Sequence, residues 1–194
     1  MGVRGYFIQY KFIIPEEIKH SSYTYQKLFR ALYGYTQAVF KSNGKVYHYH
    51  RKGILSDVPY IRPGKNCVII PPGLFQKLID FFKTGHNPTH HWKGKGDWKA
   101  VYYMNEKDVD EKKVIEALVE LLSRTHVEGR EKSLSLFEAL KQTSTQQSTG
   151  KNEANSMVLS LAQPVVESEW FKNVYSLSED LKEFYTQYRA LKSR

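Results

Sequence analysis

The chain has 194 residues, is 41% hydrophobic, and carries a formal charge of +9 with a single cysteine, Cys67. That length supports one sizeable core and a modest extension. No apolar run approaches the ~18 residues a membrane span needs, and one cysteine excludes an internal disulfide framework.

The charge is unevenly placed. Residues 1–100 hold sixteen Lys/Arg against five Asp/Glu, a balance of +11, whereas residues 101–194 hold thirteen against fifteen. Twenty of the 27 aromatic residues lie between Tyr6 and Tyr103, and six of the seven histidines precede residue 100. A basic, aromatic half beside a neutral one points to nucleic acid or another anionic surface. The N-terminal segment enters an alternating apolar pattern without a small-residue cleavage site, so a cytoplasmic protein with no signal peptide is expected.

In chain order, Val3–Ile14 reads as a strand, rich in β-branched and aromatic residues and ended by Pro15. Ser21 or Ser22 caps a helix to about Tyr33, with Tyr25, Leu28, Phe29 and Leu32 on one face and Gly34 as its stop. The segment "YTQAVFKSNGKVYHYHRKG" places Asn43-Gly44 between two alternating runs, the signature of a hairpin with a two-residue turn. That turn sets Phe40 opposite Tyr47 and Ala38 opposite Tyr49 as a core face. Val39, Gln37, Lys41, His48, His50 and Lys52 are left as a basic solvent face.

"CVIIP" reads as a short buried strand. "GLFQKLIDFFKTG" follows as a helix with Leu74, Leu78, Phe81 and Phe82 inward and Gly85 at its end. "HHWKGKGDWK", residues 90–99, is a basic loop, and Trp98–Met104 returns as a strand with Trp98 anchored in the core. Asp108 or Asp110 caps a helix whose stripe is Val114, Ile115, Leu118, Val119 and Leu122. The resulting order, β, α, β, β, β, α, β, α, predicts an α+β fold with a mainly antiparallel sheet.

Three regions are expected. Residues 1–130 form the basic domain, 131–156 a short helix over Lys132–Leu140 and a polar linker, and 157–194 a C-terminal helical segment. Ser176, with Glu179 three residues on, reads as a capping box for the last helix. Leu177, Leu181, Phe184, Tyr188 and Leu191 repeat at spacings of three and four, a coiled-coil-like seam predicted to dimerise the chain or dock it on a partner protein.

The chemistry-bearing motifs are sparse. No GxSxG, GxxxxGK[ST], HExxH or GxGxxG occurs, and Cys67 sits in an apolar run as a core filler. His48, His50, His86, His90 and His91 lack the cysteines or carboxylates that would complete a zinc site. No cofactor, metal or catalytic residue is therefore expected.

What remains is a set of cations near aromatics: Lys41, His48, His50, Arg51 and Lys52 on the hairpin, Arg62 and Lys65 in the next loop, and Trp92, Lys93, Lys95 and Lys99 in the Gly-interrupted loop. Lysines there suit phosphates, and Trp92 suits a splayed base. None of the helices looks like a basic recognition helix of the kind that reads a DNA groove. The sequence thus predicts a non-enzymatic RNA-binding protein, specifically a ribosome-associated factor that contacts ribosomal RNA. A DNA-binding regulator is the alternative, and a structure-selective nuclease subunit stands behind it.

Overall fold

The computed structural model describes residues 2–42, 44–85, 98–128, 133–145 and 152–193. The chain is α+β with antiparallel strand pairing. It divides into two compact units: Tyr6–Asp57 with Arg62–Glu106, and Met1–Gly5 with Val58–Ile61 and Lys107–Arg194.

The first of these units follows the predicted element order. Strand β1 (Val3–Ile13) alternates, with Ile8, Tyr10 and Phe12 buried and Gln9, Lys11 and Ile13 exposed. Helix α1 (Tyr23–Tyr33) starts at Ser22, whose Oγ accepts from the Tyr25 N–H at 3.3 Å, and buries Leu28, Ala31 and Leu32. Strands β2 (Tyr35–Phe40) and β3 (Val46–Arg51) pair only with each other. Strand β4 (Cys67–Ile70) pairs with β1 in antiparallel register, Ile8 opposite Val68 and Tyr6 opposite Ile70.

A 3-10 turn at Pro72–Leu74 leads into helix α2 (Phe75–Thr84), which Gly85 ends in the left-handed conformation at φ 72°. Strand β5 (Lys99–Val109) completes a three-stranded sheet in the order β4, β1, β5. The core of this unit is aromatic. Phe12 meets Phe29, Phe81, Phe82 and Trp98 edge-on at centroid separations of 5.4, 6.5, 6.1 and 5.5 Å, a geometry the ring quadrupoles favour. Trp98 is buried, as its place at the start of a strand predicted.

The other unit is helical. Helix α3 (Glu111–Arg124) is capped by Asp110, which accepts from the Lys112 and Lys113 N–H groups, and buries Val114, Ala117, Leu118, Leu121 and Leu122. Arg124 donates to the Val58 carbonyl at 2.6 Å and lies 4.3 Å from the Tyr60 ring centroid, tying Val58–Ile61 to this unit. A short ribbon, β6 (His126–Glu128) with β7 (Ser133–Ser135), precedes helix α4 (Leu136–Thr145). The α4 start is a capping box: the Glu138 N–H donates to Ser135 Oγ and the Ser135 N–H donates to Glu138 Oε2.

Helices α5 (Asn152–Glu167), α6 (Glu169–Val174) and α7 (Glu179–Lys192) follow. Trp170 of α6 is fully buried and donates its indole N–H to the Arg4 carbonyl at 2.7 Å. Among the described residues no helix is long and apolar enough to cross a membrane.

Three expectations for the second half need correction. The polar stretch 142–156 is helical where it is described, residues 142–145 ending α4 and 152–156 opening α5; residues 146–151 lie outside the described set. Helix α3, assigned by sequence to the basic domain, groups with the C-terminal helices, so the units do not part at residue 130.

The predicted interface seam is the third. Leu181, Phe184, Tyr188 and Leu191 are 0–4% exposed and packed inside the chain, with Phe184 against Phe137 and Phe171 at 6.2 Å each. Lys141 of α4 pairs with Glu183 of α7 at 3.0 Å on the same side. The helix starts at Glu179 after Ser178, and Ser176 and Leu177 fall in a preceding 3-10 turn, where Leu177 is exposed. A seam satisfied by α4, α5 and α6 of its own chain offers no surface for dimerisation.

Replacing Phe184 with Ala should therefore cost about 3–5 kcal/mol of stability, read as a lower urea midpoint by circular dichroism, with no change of mass by light scattering. A fall in mass at unchanged midpoint would return the seam to an intermolecular role.

Candidate nucleic-acid interface

The β2–β3 ribbon is the feature that the basic half presents to solvent. Every described residue of the ribbon is exposed except Tyr35 and Val39, which are half-buried. The predicted core face is therefore not a core: Phe40, Tyr47 and Tyr49 are 78, 38 and 42% exposed.

The register also differs by one residue from the expected one. Phe40 pairs with Val46, Val39 with Tyr47, Ala38 with His48, Gln37 with Tyr49 and Thr36 with His50. The Lys41 N–H donates to the Lys45 carbonyl at 3.0 Å, so the connection spans residues 42–44 rather than two residues, with Gly44 at φ 75°. One added loop residue shifts one strand by a single position, which moves each of its side chains to the other face.

The two faces consequently have a different chemistry from the predicted ones. One carries Lys41, Tyr47, Tyr49 and Arg51. The Lys41 ammonium sits 4.7 Å from the Tyr47 ring centroid and the Arg51 guanidinium 5.9 Å from that of Tyr49, contacts that hold flexible cations against a rigid strand. The other carries Phe40, Val46, His48 and His50, with Thr36 Oγ1 and His50 Nδ1 3.0 Å apart across the strands. Lys52, just past the ribbon, pairs with Asp57 at 3.0 Å in an exposed bridge.

The base of the ribbon is built from two glycines. Gly34 adopts φ 75° with ψ 178°, a region open essentially to glycine alone. A Cβ on it would lie 2.6 Å from the Arg51 carbonyl oxygen, and one on Gly53 would lie 2.8 Å from the Ala31 carbonyl oxygen. The close approach is stitched by hydrogen bonds. The Gly53 N–H donates to Ser56 Oγ at 2.8 Å, and the Ser56 hydroxyl donates to the Tyr33 carbonyl at 3.2 Å. The Ile54 and Leu55 N–H groups donate to the Ala31 and Leu32 carbonyls at 2.9 and 2.8 Å.

Arg62 joins this base, its guanidinium 4.4 Å from the Tyr33 ring centroid. The Tyr33 hydroxyl is 2.9 Å from that of Tyr10. Burial, reinforced by Tyr33, pushes the Tyr10 phenol above its ordinary range, so Tyr10 stays neutral.

The remaining predicted residues fall elsewhere or outside the described set. Lys65 borders an open depression of about 710 Å³ that also includes Lys11, His20 and Tyr103. Lys99 is exposed at the start of β5. Trp92, Lys93 and Lys95 lie outside the described residues.

Two groups at the ribbon escaped the sequence reading. Lys45 is exposed at the turn. Arg30 of α1 lies 5.2 and 4.8 Å from the Tyr23 and Tyr35 ring centroids; only the i, i+7 spacing of Tyr23 and Arg30 on one helix face could have signalled it. The absence of acid was legible: no Asp or Glu occurs between Glu17 and Asp57, against seven Lys/Arg. Among the described residues no three His, Cys, Asp or Glu side chains gather as metal ligands.

Gly53→Ala should lower stability by about 1–3 kcal/mol through backbone overlap at the ribbon base, read as a fall in thermal midpoint. Gly44→Ala, with open space around its Cβ site, should cost only the strain of its positive φ. Equal losses at the two positions would show that the base is not close-packed.

In comparisons with known proteins, no family model, no curated protein and no solved structure matches this chain.

Proposed function

We propose that this chain is a non-enzymatic RNA-binding protein whose principal contact element is the β2–β3 ribbon. The observation that carries the reading is an acid-free, two-stranded ribbon with both faces open to solvent and Lys41, Lys45 and Arg51 on or beside it. Cations held on a rigid element lose little freedom when they meet phosphates, and the counterions released from the polyanion drive association. Exposed aromatic side chains between them favour RNA, whose loops and bulges expose base faces. Arg62 and Arg30 extend the positive surface at the ribbon base. Ribosomal RNA, in a ribosome-associated cytoplasmic role, is the specific ligand we assign.

One observation favours DNA as the second reading. A two-stranded β-ribbon with both faces free is an element that the major groove of B-DNA admits. Binding to an RNA hairpin and to a DNA duplex of equal length, measured at the same salt, separates the two. Cosedimentation with ribosomal particles on a sucrose gradient tests the specific assignment.

Affinity for a structured RNA should fall by orders of magnitude between ~50 and ~200 mM salt. The triple variant Lys41→Ala, Lys45→Ala, Arg51→Ala should bind more weakly and with a logarithmic salt slope reduced by about two to three. It should keep the parent's unfolding free energy to within about 0.5 kcal/mol, because these side chains are exposed. Affinity that is flat with salt, or a triple variant that binds like the parent, overturns the reading.

A further inference from the structure

We propose that Phe40 and Val46, paired at the outer end of the ribbon, form a stacking site for an unpaired nucleobase, so that the protein selects RNA with bulged, looped or single-stranded bases over continuous duplex. This inference rests on the nucleic-acid reading above and narrows it to a ligand class.

Phe40 is 78% exposed, more than any other large apolar side chain among the described residues. Its direct cross-strand partner Val46 is 43% exposed. The pair forms an apolar step at the end of the ribbon, exposed among the described residues. The other rings on the ribbon are engaged: Tyr47 under Lys41, Tyr49 under Arg51, Tyr35 under Arg30. No ring or cation contact to Phe40 is found among the described residues.

Charge identifies the occupant. Lys41 follows Phe40 directly and Lys45 precedes Val46, their backbones joined by the Lys41 N–H. A second copy of the ribbon docked on this step would bring like charges together, with no carboxylate from residue 18 to 56 to offset them. A nucleotide meets both halves of the feature at once. Its base has an apolar face that stacks on a ring whatever its identity, and its phosphates are drawn to the cationic end of the ribbon, where Lys41 lies on the face opposite Phe40. In a continuous duplex the base faces are buried in the stack, so only a base outside the stack can meet Phe40.

The test uses the full chain and two RNA hairpins of equal length, one with a continuous stem and one with a single bulged aminopurine, each titrated by fluorescence anisotropy. The parent should bind the bulged hairpin more tightly and quench the aminopurine fluorescence. Phe40→Ala should lower affinity for the bulged hairpin by about tenfold, to the level of the continuous one, and abolish the quenching. Its salt slope should not change, since no phosphate contact is removed. Phe40→Trp should retain preference and quenching.

Equal affinity of the parent for both hairpins, with salt-dependent binding intact, overturns the stacking site and leaves the RNA-binding proposal standing. A Phe40→Ala variant that still prefers and quenches the bulge does the same. A halving of mass in Phe40→Ala by light scattering would make the step a self-interface and overturn the inference. If the parent binds neither hairpin, the RNA-binding proposal itself fails and the stacking site falls with it.

Discussion

The close approach of Gly34 and Gly53 is the contact on which the ribbon depends. A two-stranded hairpin with no third strand and no covering layer is marginal in water. What gives β2 and β3 a defined direction is their base, where two backbone segments pass at a distance that no Cβ would allow. Ser56 closes that crossing from one side, taking the Gly53 N–H and giving its hydroxyl to the Tyr33 carbonyl. The same segment then continues into Ile54 and Leu55, both buried. The core of the unit therefore extends to the foot of the ribbon.

Much of this architecture was legible in the sequence, because the signals were local. Ser22, Gly34, Gly85 and Asp110 each mark a helix end by a backbone requirement or a cap, and each stands where those rules placed it. The β-branched and aromatic run Val3–Ile14 predicted a strand, which forms over Val3–Ile13 with Ile8, Tyr10 and Phe12 buried on one face. Antiparallel pairing followed from the order of elements. Helices α5 and α6 were legible only as part of a helical segment over 157–194: Asn152–Ser156 is polar enough to read as linker, and Pro164 interrupts the pattern, although the helix continues past it.

The misread features share a physical cause: periodicity reports that a face is apolar and says nothing about what covers it. The seam from Leu181 to Leu191 has the spacing of a coiled coil, yet a helix packed on α4 within its own chain needs the same spacing. The ribbon shows the converse. Phe40, Tyr47 and Tyr49 have the composition of a core face, but among the described residues they are exposed. Its register failed on a finer point, since Asn-Gly fits a two-residue turn as well as a longer loop that places Gly44, at φ 75°, next to the returning strand. The candidate site was thus legible as a list of cations and not as a surface. Lys41 and Arg51 were named, but their alignment over tyrosines depends on the register.

The ribbon breaks several rules of strand stability in one place. Lys41 and Lys45 face each other across the first pair beyond the strands, an arrangement that like-charge repulsion disfavours. Phe40 gains nothing from burial, and both faces are solvated. The cation–π contacts over Tyr47 and Tyr49 offset part of the repulsion by keeping two of the charges spread along the element. Elsewhere in the chain local pattern and packing agree, down to the capping box at Ser135 and the buried indole hydrogen bond of Trp170. When such conflicts concentrate on one element of an otherwise consistent fold, the compensating interaction is to be sought outside the chain. The nucleic-acid reading we propose would supply such an interaction: an unstacked base would remove the Phe40 ring from water.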